Sequence, residues 1–162
     1  MTDNLEHHLT EFLRAFNERI GIVQRYEQLC TQIPPWRGFQ DHARFIRDQR
    51  EAIAVMEPYF WGMYPQMENH GMAAIESTDD AEVRDLVTEM LRLAADEAKD
   101  MRGLIEKLGN AGNLKGYLAL AVDRLRNDAG RRQRTAELEQ MTLDLTAYCL
   151  LHFPPAEDED AC

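Results

Sequence analysis

The chain has 162 residues, which is long enough for one domain with a single hydrophobic core that needs no disulfide or structural metal. It carries 29 acidic and 18 basic residues and a formal net charge of -11, which argues against non-specific binding to nucleic acid or to an anionic membrane. We therefore expect a protein partner with a basic or apolar surface.

The N-terminus and the cysteines both favour a cytoplasmic protein. The first residues are polar and acidic, without the basic start and apolar run of a signal peptide. No stretch approaches the roughly 18 apolar residues that a membrane-spanning helix needs. The three cysteines are an odd number without a Cys-x-x-Cys pair, so they indicate neither a disulfide framework nor a zinc knuckle.

The first predicted helix begins at Asp3, with Glu6 three residues later as an acidic capping-box partner. It is predicted to end at Pro34-Pro35, because proline lacks the N–H group that would continue the helix. Between these limits, apolar residues recur three and four positions apart on one face, as in an amphipathic helix. These residues are Leu5, Leu9, Phe12, Phe16, Ile20, Val23 and Cys30.

The second predicted helix begins near Gly38 and stops at Gly71, since glycine is common where helices end. Two prolines lie inside this segment. Each removes a backbone hydrogen bond, so the sequence predicts that the helix kinks at Pro58 and Pro65.

The third and fourth predicted helices have clear start signals. The third begins at Asp79 and stops at Gly109, and it shows the most regular apolar spacing in the chain. The fourth begins at Asn113 and ends before Pro154. Its apolar pattern lapses in an arginine-rich stretch around Gly130, which predicts an interruption of the helix there.

Short connections between the four segments favour antiparallel neighbours. The sequence therefore predicts an all-α fold, an antiparallel up-down-up-down four-helix bundle. Residues 1–153 form the single domain in this prediction. Residues 154–162 follow two prolines and are mostly acidic, so they are predicted to be a disordered tail.

Histidines from three helices are predicted to meet at one end of this bundle. His8 lies on the flank of the first apolar seam, His70 at the end of the second helix and His152 at the end of the fourth. Imidazoles that converge from separate helices form iron, manganese or zinc sites, because each helix supplies rigidly aimed ligands. The alternative is that all three are half-exposed residues at frayed helix ends.

A polar layer is predicted near the middle of the bundle, where Arg19, Gln49, Glu97 and Asp128 fall at similar heights. Glu97 stands directly in the apolar seam of the third helix. A buried carboxylate is costly unless it is paired, so we expect an arginine opposite it. The structural interpretation is a salt-bridged layer, and the alternative is a role in cofactor binding or proton transfer.

Residues 56–67 carry aromatic residues and methionines on more than one helical face, so a single seam cannot bury them all. Tyr59, Trp61 and Tyr64, with Met63 beside them, form the predicted partner-binding surface. Exposed aromatics with adaptable methionine neighbours are typical of interaction sites, including homodimer contacts. The alternative is a kinked helix that folds these rings back over the end of the bundle.

Three functions follow from these features. The first is a non-enzymatic protein-binding module, such as a regulator, an inhibitor or a chaperone, which needs no cofactor. The second is a bundle that binds a transition metal or a cofactor through the three histidines. The third, and the weakest on this sequence, is a metal-dependent hydrolase that uses carboxylates of the third helix, such as Glu97 and Asp100.

Overall fold

The structure, a computed structural model, describes the backbone of residues 2–155 and the side chains of residues 4–155. Over that range the chain forms helices and contains no strand, which confirms the predicted all-α class. Residues 156–162, most of the predicted acidic tail, lie outside the described residues. The elements in chain order are α1 Thr2–Thr31, a 3₁₀ helix Pro35–Phe39, α2 His42–Ala54, a π-helical turn Tyr59–Met63, α3 Tyr64–Ser77, α4 Ala81–Gly109 and α5 Leu114–His152.

Side-chain caps fix where α4 and α5 begin. The carboxylate of Asp80 accepts hydrogen bonds from the backbone N–H groups of Glu82 at 2.9 Å and Val83 at 3.4 Å. The side chain of Asn113 accepts one from the N–H group of Gly116 at 2.9 Å. Each cap satisfies an N–H group that has no partner within its own helix. The cap of α5 is the predicted one, whereas α4 begins one residue later than predicted.

The second predicted helix is in fact two helices. α2 ends at Ala54, and a π-helical turn lies between Pro58 and Pro65 before α3 continues. α3 also runs past Gly71, its predicted end, because this glycine serves close packing and does not terminate the helix. A Cβ atom built on Gly71 would lie 2.8 Å from the ring of Phe12 on α1. The bend of the helix axis at the two prolines stays a prediction.

The structure contradicts the interruption predicted near Gly130. α5 is continuous over its 39 residues. Gly130 is exposed, and no atom of another element lies within 4 Å of the position that its Cβ atom would take. A glycine in a helix interior costs only about 1 kcal/mol relative to alanine, so the packed segments on both sides keep the helix intact.

We expect Gly130→Ala to raise the free energy of unfolding by about 0.5–1 kcal/mol, because the added methyl group enters open space. Gly116→Ala is the matched control on the same helix. Its Cβ atom would lie 2.1 Å from the backbone oxygen of Asn110, so this variant should lose stability. Urea unfolding followed by circular dichroism measures both variants, and a loss of stability in Gly130→Ala would contradict a continuous helix.

Four helices enclose the core. α1 packs against α3 and α5, and α4 packs against the same two helices. α2 and the 3₁₀ helix lie against one end, where Phe39, His42 and Phe45 surround the ring of Tyr117. None of the described helices is both long and apolar enough to span a membrane. The largest apolar and aromatic side chains that are fully buried include Phe12, Phe16, Phe45, Met56, Tyr59, Met67, Met90, Leu104, Tyr117 and Leu120.

Candidate metal centre

Three histidines converge where the N-terminal part of α1 meets the middle of α3. His7 and His8 are neighbours on α1, and His70 lies on α3. Leu9 and Phe12, both fully buried, fix which side of α1 faces the core, and His8 lies on the flank of that side. His8 and His70 are half-buried, whereas His7 is exposed. The fold thus assembles a group of imidazoles that we call the histidine cluster.

The imidazole nitrogens of the histidine cluster lie close to one another. Nδ1 of His8 lies 3.1 Å from Nδ1 of His70. One nitrogen from each of the three rings lies within 4.8 Å of the others, and the ring centroids are 5.3, 5.4 and 5.9 Å apart. Nitrogens bound to a tetrahedral zinc ion at the usual bond length are about 3.3 Å apart. The limit of 4.8 Å is wider than this, so the three side chains would have to move closer together to share one ion.

The surroundings of His8 favour its neutral form. Burial, and then the charges of His70 and His7, lower the pKa of His8. A neutral imidazole keeps the lone pair that a metal ion requires. Glu11 follows His7 by one helical turn, and hydrogen bonds of 2.8 and 3.0 Å from Arg14 lower the pKa of its carboxyl group. The ionised carboxylate of Glu11 is thus paired with Arg14.

His152, the third ligand predicted from the sequence, lies outside the histidine cluster, and His7 takes its place. His152 is exposed at the end of α5, and its ring stacks on Tyr148 one turn earlier, with 4.1 Å between the centroids. Tyr148 donates a hydrogen bond to Asp80 at 3.3 Å, so this end of α5 lies beside the start of α4. The sequence signal that was missed is the spacing of His7 and Glu11, which places both on one side of α1.

The four residues predicted to form one polar layer form two separate groups. Glu97 accepts two hydrogen bonds from the guanidinium of Arg19, one of them of 2.8 Å, and both side chains are buried. Gln49 and Asp128 instead accept hydrogen bonds from Arg124, at 3.1 and 3.2 Å. Each group joins side chains from different helices. A buried charge needs such partners, so both groups serve to connect the helices.

Glu97 and Asp100 do not form a free carboxylate pair for a hydrolytic metal ion. Glu97 is occupied by Arg19, as described above. Asp100 accepts hydrogen bonds from Arg131 at 2.7 and 2.8 Å and from Arg134 at 3.1 Å. Because each carboxylate is neutralised by its own arginine, neither offers the oxygen ligands that magnesium prefers.

The predicted partner-binding surface is divided between the core and the solvent. Tyr59 is not on the surface: it is fully buried, and its hydroxyl group donates a hydrogen bond to the backbone oxygen of Ala94 at 3.4 Å. Met63 and Tyr64 are partly buried against the core. Only the indole of Trp61 is largely exposed, with 85% of its surface accessible. A protein partner, including a second copy of this chain, stays a prediction.

Comparisons with protein families, with curated proteins and with solved structures found no significant match for this chain. The functional proposals below therefore rest on the geometry of the described residues.

Proposed function

We propose that this protein binds a transition-metal ion of the Zn²⁺ type through His7, His8 and His70. The observation that carries the proposal is the approach of one nitrogen from each imidazole to within 4.8 Å of the others. Imidazole ligands suit zinc, copper, nickel and iron, whereas magnesium and calcium prefer oxygen ligands. Three protein ligands leave a fourth position for water.

The proposed role is reversible, non-catalytic binding that stabilises one helix pair. His7 is exposed, so an ion can enter and leave directly from solvent. An ion held by His8 and His70 joins α1 to α3 and favours the native state by mass action. The bound ion is therefore proposed to stabilise the contact between α1 and α3.

The proposal includes the antiparallel up-down-up-down arrangement of the helices, because it explains how the ligands meet. His8 contacts His70, and further along α1 the side chain of Arg14 donates a hydrogen bond to Gln66 at 3.4 Å. Residue numbers thus rise along α1 while they fall along α3. This order supports opposite directions for the two helices that hold the ligands.

Isothermal titration of the untagged protein with Zn²⁺ at neutral pH tests the proposal. We expect one ion per chain, and we expect His70→Ala to weaken binding by at least about tenfold. Saturation at 100 times the dissociation constant should raise the free energy of unfolding by about 2.7 kcal/mol, which corresponds to a rise in Tm of about 5–10 °C.

The matched control is His152→Ala, which removes a histidine outside the cluster. It should bind Zn²⁺ as the wild type does, with the same stoichiometry. Two results would contradict the proposal: no heat of binding in the wild type, or an equal loss of affinity in His152→Ala and His70→Ala. In either case the contact between His8 and His70 is only a hydrogen bond between two imidazoles.

A further inference from the structure

A line of apolar side chains runs along the side of α5 that faces away from the core. Its members recur at spacings of three, four and seven residues, so they lie on one side of the helix. We call this line the outer stripe, and Gln140 is the one polar residue that lies within it. The apolar members, all exposed, are Leu118, Val122, Leu125, Ala129, Ala136, Leu143 and Ala147.

The outer stripe is too continuous to be a scatter of single exposed apolar residues, which are normal on protein surfaces. It extends over about 44 Å, at 1.5 Å per residue from Leu118 to Ala147. With the width of one helix, about 10 Å, it covers about 440 Å². Two such stripes in contact bury about 900 Å², which is at the low end for specific interfaces and corresponds to a reversible association.

The exposed charges beside the outer stripe differ between its two halves. Lys115 and Arg126 lie in the N-terminal half of α5, whereas Glu137 and Asp144 lie in the C-terminal half. No ion pair joins any of these four side chains to another residue of the range 4–155. The two acids of the N-terminal half already pair with cations within the fold. The outer stripe therefore has a basic half and an acidic half.

We propose that the outer stripe packs against the outer stripe of a second copy of this chain, with the two α5 helices antiparallel. A two-fold axis midway between Ala129 and Ala136 places Ala129 of one copy opposite Ala136 of the other. The same axis places Val122 opposite Leu143. The alanines let the two helices approach closely at the centre, and larger apolar side chains meet on both sides of it.

The charges favour this direction of pairing over the parallel one. In the antiparallel pair, the basic half of each stripe lies against the acidic half of the other, and Arg126 comes to the level of Glu137 on the same flank. A parallel pair would bring like charges together. The antiparallel pair has one cost, because the two Arg132 side chains approach each other near the two-fold axis.

Sedimentation velocity over a range of protein concentrations tests this proposal. The buffer contains a chelator, so that the result does not depend on the proposed metal site. We expect a reversible monomer–dimer equilibrium. Leu125→Glu places a charge in the outer stripe and should weaken dimerisation by at least about tenfold. Trp61→Glu is the matched control, because it changes an exposed aromatic residue outside α5 and should leave the dimer unchanged.

Charge exchange tests the antiparallel direction. Arg126→Glu should weaken the dimer by at least about fivefold, since it replaces two attractions by two repulsions. The double variant Arg126→Glu, Glu137→Arg should restore the affinity of the wild type, and Arg132→Gln should increase it. These side chains are exposed, so every variant should keep the far-ultraviolet circular dichroism of the wild type.

Three results would overturn the proposal. The first is a wild type that stays monomeric up to about 100 μM, since the outer stripe then serves no second copy. The second is a dimer that Trp61→Glu weakens as much as Leu125→Glu does, because a different surface then forms it. The third is a double variant as weak as Arg126→Glu alone, because the two helices are then not antiparallel.

Discussion

Glu97→Ala should lower the free energy of unfolding by about 3–5 kcal/mol, because it leaves the guanidinium of Arg19 buried without a counter-ion. The side chain of Arg19 is 0% exposed and that of Glu97 is 4% exposed, so the pair is shielded from water. Nη1 of Arg19 already makes no hydrogen bond with any described residue. Urea unfolding at pH 7, followed by circular dichroism, measures the loss.

Two further variants separate burial of charge from the simple loss of a carboxylate. Glu89→Ala removes an acid of the same helix that forms an exposed ion pair with Arg92 at 2.6 Å, and it should cost less than about 1 kcal/mol. The double variant Arg19→Met, Glu97→Met should recover most of the lost stability, since it removes the desolvation cost of both charges. If Glu97→Ala lowers the free energy of unfolding no more than Glu89→Ala does, the buried pair of Arg19 and Glu97 does not stabilise the fold as expected.

Arg131→Met should lower the free energy of unfolding by about 3 kcal/mol at neutral pH, because it removes a cation that three carboxylates share. Arg131 donates hydrogen bonds to Asp100 at 2.7 and 2.8 Å, to Asp123 at 2.7 Å and to Asp128 at 3.0 Å. Arg92→Met is the matched control, because Arg92 forms its ion pairs at the exposed surface of α4. It should change stability by less than about 1 kcal/mol.

The cost of Arg131→Met should shrink as the pH falls. Burial opposes ionisation of Asp100 and Asp123, but hydrogen bonds from Arg131 and Arg134 at Asp100, and from Lys107 and Arg131 at Asp123, outweigh it. The pKa of each carboxyl therefore lies below its usual value. A carboxyl group with a lowered native pKa stabilises the native state above its unfolded pKa of about 3.9. That contribution is lost as the pH falls through the native pKa. Wild-type stability should therefore decline below about pH 4.

Urea unfolding of the wild type and of Arg131→Met between pH 7 and pH 3 measures how the difference in stability between the two proteins changes with pH. The difference in free energy of unfolding between the two proteins should be largest at neutral pH and smaller at the acidic end. A difference that stays constant, or that grows on acidification, would show that Asp100 and Asp123 do not depend on Arg131 for their ionisation.

Features that depend on a few neighbouring residues could be predicted from the sequence. The cap at Asn113 spans three residues, so the start of α5 is visible in the sequence itself. The apolar spacing of α4 is regular, and it identifies Glu97 as a polar residue that needs a partner. The choice of Arg19 over other arginines depends on how the helices pack, and no local pattern contains that information.

Glycine and the π-helical turn show where local patterns give the wrong answer. Gly71 was expected to end a helix, yet it allows the ring of Phe12 to approach the backbone of α3. Gly130 was expected to interrupt a helix, yet packing on both sides outweighs its small intrinsic cost. Tyr59 begins the π-helical turn, where an extra residue per turn changes which side chains face the core. A single sequence has no marker for that change.

The candidate metal centre was predicted in part, since His8 and His70 meet as expected. Which histidine lies beside these two depends on which helix ends are adjacent in the fold. His152 lies beside the start of α4, whereas His7 is covalently next to His8 and reaches the same cluster. Short-range spacing was therefore the better guide to which histidine lies beside His8 and His70, and the position of the end of α5 was the weaker one.

The long separation between Arg19 and Glu97 affects how the chain is made on the ribosome. These residues are 78 positions apart, so at about 5–20 residues per second the guanidinium waits about 4–16 seconds for its counter-ion to be synthesised. Contacts between α1 and α5, such as Gln24 with Glu139, span 115 positions. Until those segments emerge, the apolar face of α1 with Phe12 and Phe16 has no complete core to enter. The nascent chain therefore keeps this apolar surface incompletely buried during much of its synthesis.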